Sequence, residues 1–146
     1  MADAPVSVDT ADALAEQVFG YSLKPAQRRA VAALVGGRDT LAVLPTGSGK
    51  SAIYQVAGLA LGGLTVVVSP LIALQRDQAR GLGTRTHPDG RPLRVIALNS
   101  TLSSRDHVDA LARLGGGDVD FLMLGPEQLT NPGTHQALLS DRKSVV

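Results

Sequence analysis

The chain has 146 residues, about one domain, with 44% hydrophobic residues and a formal net charge of +1, a balance that neither requires nor excludes a nucleic-acid partner. It has no cysteine, which excludes disulfides, thiolate zinc sites and cysteine nucleophiles, and apolar runs such as residues 64–68 are too short to span a bilayer. The acidic N-terminus has no basic stretch before an apolar one, so we expect no secretory signal, no membrane partner and a cytoplasmic location.

The first part of the chain predicts two helices, a strand and a third helix. Asp9 or Thr10 is expected to cap a helix that reaches about Val18. Pro25 suits the first turn of a second helix, which Gly36-Gly37 would end. The apolar run at 40–44 (TLAVL) predicts a short buried strand, and residues 49–61 predict a helix.

The second part alternates apolar runs with helical patterns. Strands are predicted at 64–68, 93–98 and 120–124, and helices at 71–82, 103–114 and 132–139. Residues 103–106 (SSRD) resemble a capping box that would open the second of these helices, with Ser103 as the cap. A polar loop at 83–92 interrupts this order, and KSVV at 143–146 predicts the start of a further strand. The pattern is typical of an α/β fold with a parallel sheet and helices on both faces. We assign residues 1–14 to an arm and the start of the first helix, and residues 15–146 to one incomplete domain.

Residues 45–51 (PTGSGKS) have the composition of a phosphate-binding loop between a strand and a helix. Gly47 and Gly49 allow the backbone N–H groups to point inwards, and the N-terminal end of the following helix favours anions. Lys50 would bridge the terminal phosphates, and Ser51 would offer its hydroxyl to magnesium. The usual first glycine of this pattern is Leu44 here.

That loop resembles motif I of superfamily 2 helicases, which often lack the first glycine. Tyr54-Gln55 downstream makes the resemblance closest to RecQ-type DNA helicases. Further segments resemble that family in the family's order: FGYSLKPAQ (19–27) is similar to motif 0, VVVSPLIALQRDQ (66–78) to motif Ia, LNST (98–101) to the segment after it, and LGPEQL (124–129) to a Pro-Glu-Arg-Leu segment with Gln128 in place of Arg. The resemblance covers roughly residues 15–146.

The resemblance implies an ATP and Mg²⁺ site. Gln27, 23 positions before Lys50, would read adenine, because one amide can meet both the donor and the acceptor of the base edge. Lys24, where the family usually has Arg, would be its partner. The loop residues Thr46, Gly47, Ser48, Gly49, Lys50 and Ser51 would hold the phosphates, with Lys50 and Ser51 as the catalytic residues and Ser51 as the magnesium ligand. Phe19 and Tyr21 either stack on the base or pack in the core.

The resemblance also implies contact with DNA, both single-stranded and partly duplex. Ser69, Pro70 and Leu71 follow one predicted strand, and Asn99 and Ser100 follow the next. Ligands of parallel α/β sheets bind at these carboxyl ends, where hydroxyl and N–H groups suit phosphate contacts. Capping of the next helix is the alternative role for Ser69. Further candidates for DNA contact follow in the next helix: Gln75, Arg76 and Gln78.

By this resemblance the chain is most of the first RecA-like lobe, a P-loop NTPase lobe, of an ATP-dependent 3′–5′ DNA helicase acting in recombination and repair. It would end before the family's Asp-Glu-Ala-His box. A second RecA-like lobe of the same polypeptide would follow, so this piece alone is expected to be inactive. Two other functions remain open at this point: another P-loop enzyme, such as a small-molecule kinase, and a free-standing nucleotide- or DNA-binding module without hydrolysis.

Overall fold

A computed structural model describes residues 6–140 of the chain. The chain divides into two compact units, Met1–Gly62 and Gly63–Val146. The strand predicted at 143–146 lies outside the described residues. Among residues 6–140, no helix combines the length and the apolar character that a membrane span requires.

The first unit is helical in its described part. Its elements are α1 (Val8–Leu14), a π-helical turn (Ala15–Phe19), α2 (Pro25–Val35) and α3 (Ser51–Leu61). The cap predicted at Asp9 or Thr10 is wrong, because the Ser7 hydroxyl accepts the Thr10 N–H at 3.2 Å. The predicted second helix is confirmed, and Gly36 follows its last residue. Small and β-branched side chains, together with the ring of Phe19, form the buried core: Ala11, Ala15, Val18, Phe19, Ala30, Val31, Val35, Ala52, Ile53, Val56 and Ala57.

The strand predicted at 40–44 is wrong. This segment precedes the glycine-rich loop without belonging to any strand, and Leu41 and Val43 are 90% and 83% exposed. A strand exists only through hydrogen bonds to a neighbouring strand, and residues 6–62 contain no other strand. An apolar run supplies the side chains of a buried strand but not the partner that defines it.

The second unit is a three-stranded parallel sheet flanked by helices. The strands are β1 (Thr65–Val68), β2 (Val95–Leu98) and β3 (Phe121–Leu124), arranged in the order β1-β3-β2. Three α-helices lie between and after them: α4 (Ile72–Gly83), α5 (Ser104–Gly115) and α6 (Pro132–Ser140). A short 3₁₀ turn, Pro126–Thr130, was not predicted. The predicted α/β class with a parallel sheet is confirmed.

The core of the second unit lies between the sheet and α5. Alternate residues of each strand point to one face, so Ile96 and Leu98 share that face on β2. They pack with Leu122 and Leu124 of β3 and with Leu114 of α5. The predicted cap of α5 is confirmed, because a serine hydroxyl just before the helix accepts an N–H of its first turn at 3.1 Å.

Ion pairs fix the amino end of β3. The buried Asp120 carboxylate accepts two hydrogen bonds from Arg91, at 2.7 and 2.9 Å, and one from the Arg94 backbone N–H at 2.8 Å. The Arg94 side chain contacts both Asp120 and Asp118. Burial raises the pKa of Asp120, but the hydrogen bonds from Arg91 and Arg94 outweigh it and lower that pKa to about 2. The network holds the 84–92 loop against the sheet at the edge opposite the carboxyl ends of the strands.

Candidate functional site

The loop between residues 45 and 50 has the backbone form that a phosphate cradle requires. Gly47 and Gly49 have φ values of +78° and +80°, which residues with a Cβ rarely adopt. The Ser48 N–H donates to the Pro45 carbonyl at 3.1 Å and closes the turn. The Lys50 ammonium donates to the Leu44 carbonyl at 3.2 Å, so it bends back over the loop. This arrangement places a cation beside the glycine-rich loop at the start of α3.

Gln27 ties α2 to this loop. Its buried side chain accepts the Lys24 backbone N–H at 2.9 Å and donates to the carbonyls of Ser48 at 3.2 Å and Gly49 at 2.9 Å. The three bonds fix the orientation of the amide, because one end meets a donor and the other meets two acceptors. Gln27 is the third residue of α2, so its bond with the Lys24 backbone N–H also caps the start of that helix. The sequence carries the spacing of this capping interaction, but the prediction for Gln27 did not include it.

A cavity of about 330 Å³ opens beside Gln27 and Gly49. Its lining comes from the segment before α2, from the first turn of α2, from the loop and from the first turns of α3: Tyr21, Ser22, Lys24, Gln27, Gly49, Ala52 and Gln55. The Tyr21 ring stacks on Phe19, with ring centroids 5.7 Å apart and an interplanar angle of 24°. Phe19 is buried in the core and Tyr21 reaches the cavity. The structure thus places Lys24 and Gln27 together at a largely apolar recess next to the cradle.

Two serines of the loop bear on whether a phosphate group fits. The Ser48 hydroxyl is buried and has no hydrogen-bond partner within the described residues, so it is an unsatisfied polar group in the cradle. Ser51, the first residue of α3, hydrogen-bonds Tyr54 one turn further on. Burial raises the pKa of Tyr54, and its hydrogen bonds with Gln55 and Ser51 oppose that rise. The positive-φ glycines, the unsatisfied hydroxyl and the nearby ammonium together fit a bound phosphate.

The other predicted site residues meet at one edge of the second unit's sheet. Val68, Leu124 and Leu98 are in register, so the three parallel strands end level. The residues that follow β1 and β2 begin with Ser69 and Asn99, at the same edge. The Ser69 N–H donates to the Leu124 carbonyl at 3.0 Å and continues the ladder by one bond. The prediction that these two segments share an edge agrees with this register.

The side chains at that edge differ in what they present. Ser69 uses its hydroxyl to accept the Leu71 N–H at 3.3 Å, which shapes the turn before α4. Pro70 and Leu71 are exposed. Asn99 is buried and points inwards, so its contact with DNA stays a prediction that would require its present bonds to open. Ser100 is exposed, and its N–H donates to the carboxylate of Glu127 at 3.2 Å.

Two residues at this edge make contacts that the sequence does not predict. Glu127, in the 3₁₀ turn, lies over Gly125 so closely that an added Cβ there would overlap its carboxylate. Gln75, predicted as a candidate for DNA contact, is only 1% exposed and bonds to Asn99 inside the protein. A contact between Gln75 and DNA is therefore excluded in this conformation. No sequence signal links it to Asn99, 24 residues away.

Comparison with known families decides which class of protein this is. The DEAD/DEAH box helicase family model matches residues 24–146, which include the cradle, Gln27 and the sheet edge. The chain belongs to the DEAD/DEAH box helicase family. The RecA-like fold class implied by the resemblance is thereby confirmed.

Similar proteins show which members of that family the chain resembles. A probable ATP-dependent DNA helicase RecS from Bacillus subtilis (strain 168) is 38% identical over 85% of this chain and 24% of its own length. The ATP-dependent DNA helicase RecQ of Synechocystis sp. is 38% identical over 77% of this chain and 23% of its own length. The human ATP-dependent DNA helicase Q4 is 36% identical over 81% of this chain and 10% of its own length. The chain thus spans a quarter or less of these relatives, and its resemblance to RecQ-type helicases is confirmed.

Proposed function

We propose that the first unit binds ATP, with the triphosphate in the cradle and adenine in the adjoining cavity. The support is geometric: Gln27 and Lys24 line the same cavity as Gly49, which belongs to the cradle. The Gln27 amide already carries both a donor and an acceptor at the cavity wall. In the bound state this amide would exchange bonds to the loop for bonds to the adenine edge. Adenine binding and loop conformation are then linked through one side chain.

The cradle would hold the phosphates through the backbone N–H groups of Thr46, Gly47, Ser48 and Gly49, with the Ser48 N–H released from the Pro45 carbonyl. Lys50 would contact the terminal phosphates. Ser51 would turn its hydroxyl from Tyr54 to a magnesium ion, which supplies neutralisation of phosphate charge when it is bound. The pairing of Ser51 with Tyr54 keeps the hydroxyl hydrogen-bonded until then.

The second unit would contact DNA along the edge where its strands end. Hydroxyl, apolar and backbone groups are available there from Ser69, Pro70, Leu71 and Ser100, whereas Asn99 is buried beneath them. Contacts of this kind address the sugar-phosphate backbone and carry little sequence information. We propose single-stranded DNA and the single-stranded part of partly duplex DNA as the ligands.

The whole protein proposed from these two units is an ATP-dependent DNA helicase that moves 3′ to 5′ and acts in recombination and repair. Its second RecA-like lobe would complete the ATP site. An arginine supplied to the transferring phosphoryl group is worth about 10³–10⁵ in rate, so these 146 residues alone should bind nucleotide with negligible turnover.

Base selectivity tests this proposal most specifically. Titration of the chain with ATP and GTP should show a preference for ATP, and Gln27→Ala should reduce the ratio of the two affinities. Arg38→Ala, which changes an exposed cation of the same unit, is the control and should leave the ratio unchanged. Equal loss of ATP and GTP affinity in Gln27→Ala would mean that Gln27 only supports the loop and does not read the base.

A further inference from the structure

A continuous chain of hydrogen bonds runs through the sheet edge of the second unit. The Arg76 guanidinium donates to the Thr101 hydroxyl at 3.2 Å, and that hydroxyl donates to the Asn99 side-chain oxygen at 2.5 Å. The Asn99 amide nitrogen donates to the Gln75 side-chain oxygen at 3.0 Å. The Gln75 amide nitrogen donates to the Ser69 carbonyl at 2.5 Å. We call these five residues the Gln75 relay.

The directions of the relay are mutually consistent. Thr101, Asn99 and Gln75 each accept from one neighbour and donate to the next, so no assignment of donor and acceptor conflicts with another. Gln75 and Asn99 are 1% and 3% exposed, and each amide is paired at both ends. Hydrogen bonds aligned in this way strengthen one another, and breaking one leaves a buried polar group unpaired.

The relay joins two segments that the sheet does not join directly. The loop after β1, residues 69–71, and the loop after β2, residues 99–101, follow strands that are separated by β3. No ladder hydrogen bond can therefore pass from β1 to β2. Gln75 spans this gap from α4, with one end on Ser69 and the other on Asn99. The Asn99 oxygen also accepts the Thr101 backbone N–H at 3.0 Å, so the second loop is fixed by the same side chain.

We propose that Gln75 is a positioning residue that makes the 69–71 and 99–101 loops move as one unit and so sets the spacing of their exposed groups for DNA phosphates. This inference rests on the proposed DNA contact at the sheet edge. Only a side chain with both a donor and an acceptor can serve here, because the Ser69 end needs an N–H and the Asn99 end needs an oxygen. Methionine has a similar length but neither group.

Amide hydrogen exchange on the chain tests the structural part of this proposal, which is that Gln75 couples the two loops. Gln75→Met should raise exchange at both Leu71 and Thr101, each by about fivefold or more. Thr134→Val is the matched control, because it also removes a buried polar group of this unit but lies outside the relay. Gln75→Glu keeps the acceptor for Asn99 and loses the donor to Ser69, so its effect should be largest at Leu71. If exchange rises at only one loop in Gln75→Met, or at neither, the two loops are not coupled through Gln75.

Binding of a fluorescent oligo-dT tests the functional part, which is that this coupling supports DNA binding. Gln75→Met and Gln75→Glu should each weaken affinity about fivefold, whereas Thr134→Val should bind like the wild type. Raised exchange at both loops with unchanged oligo-dT affinity would overturn the positioning role. Absence of oligo-dT binding by the wild type would overturn that role together with the proposed DNA contact, while unchanged exchange would overturn the relay alone. If Gln75→Met does not fold by far-UV circular dichroism, Gln75→Glu carries both arms of the test.

Discussion

Two alanine substitutions in the cradle separate backbone strain from loss of the Gln27 contact. Gly47 and Gly49 have nearly the same φ, +78° and +80°, so an alanine at either position is forced into the left-handed region. A Cβ at Gly47 would meet nothing within 4 Å. A Cβ at Gly49 would lie 2.7 Å from the Gln27 side-chain nitrogen, which is too close for the amide to stay in place. Gly47→Ala is therefore the matched control for Gly49→Ala.

The expected free energies of unfolding follow from these two terms. A left-handed alanine costs about 1–2 kcal/mol, and this term applies to both variants. Gly49→Ala also displaces the Gln27 amide from the carbonyls of Ser48 and Gly49, and two such hydrogen bonds contribute about 1–3 kcal/mol. We expect Gly49→Ala to destabilise the first unit by about 1–3 kcal/mol more than Gly47→Ala does.

Tyrosine fluorescence during urea unfolding measures this difference in the first unit. The chain has no tryptophan, and its two tyrosines, Tyr21 and Tyr54, both lie in that unit. The same pair of substitutions in a Gln27→Ala background should give nearly equal losses, because the second term has been removed. Equal losses in the wild-type background, or a difference that persists without Gln27, would refute the assignment of Gln27 as the tie between α2 and the loop.

Three further outcomes are expected. Asp120→Asn should lower stability by about 1 kcal/mol at neutral pH after allowance for solvent screening. Because the folded pKa of Asp120 is lowered from 3.8 to about 2, the wild-type advantage should be complete only above about pH 5 and be lost as pH falls through about 2, as followed by urea midpoints. A pH-independent difference would contradict the ion-pair network. The affinity for oligo-dT should have a shallow salt dependence, with a log–log slope of about −1, because few cations lie at the sheet edge; a slope steeper than about −4 would indicate another binding surface. A phosphate-release assay should show negligible ATP turnover with or without DNA, and turnover abolished by Lys50→Ala would show that the cradle hydrolyses ATP unaided.

Local signals explain which elements could be predicted. Helix α2 begins at Pro25 and is followed by Gly36, and α5 begins after the Ser103 cap, so residues close to their ends predict both helices. The strands predicted in the second unit form because each apolar run has a partner strand within the same unit. The 40–44 run has the same composition, but it has no partner strand in the described part of its unit. Strand formation is a non-local property, and composition cannot report it.

In the candidate site too, features formed by adjacent residues could be predicted, and contacts between distant residues could not. The cradle was predicted because its glycines and Lys50 are adjacent in the sequence. The hydrogen-bond partners of the buried amides could not be predicted, because they are distant in the sequence. Gln27 bonds to carbonyls more than 20 residues away, and Gln75 bonds to Asn99 at a separation of 24 residues. A glutamine on a helix has no pattern that tells a buried bridge from an exposed contact. Packing decides that question, and the structure assigns Gln75 to the interior.

Calorimetric titration of the chain with ATP and adenosine, with and without Mg²⁺, tests the central claim most directly. If the 45–51 loop holds phosphates, the wild type binds ATP more tightly than adenosine, and Lys50→Ala removes most of that difference while leaving adenosine affinity unchanged. Arg38→Ala, an exposed cation of the same unit, should behave like the wild type. Equal affinities for ATP and adenosine in the wild type, or an equal loss of both in Lys50→Ala, would contradict the assignment of this loop as a phosphate cradle.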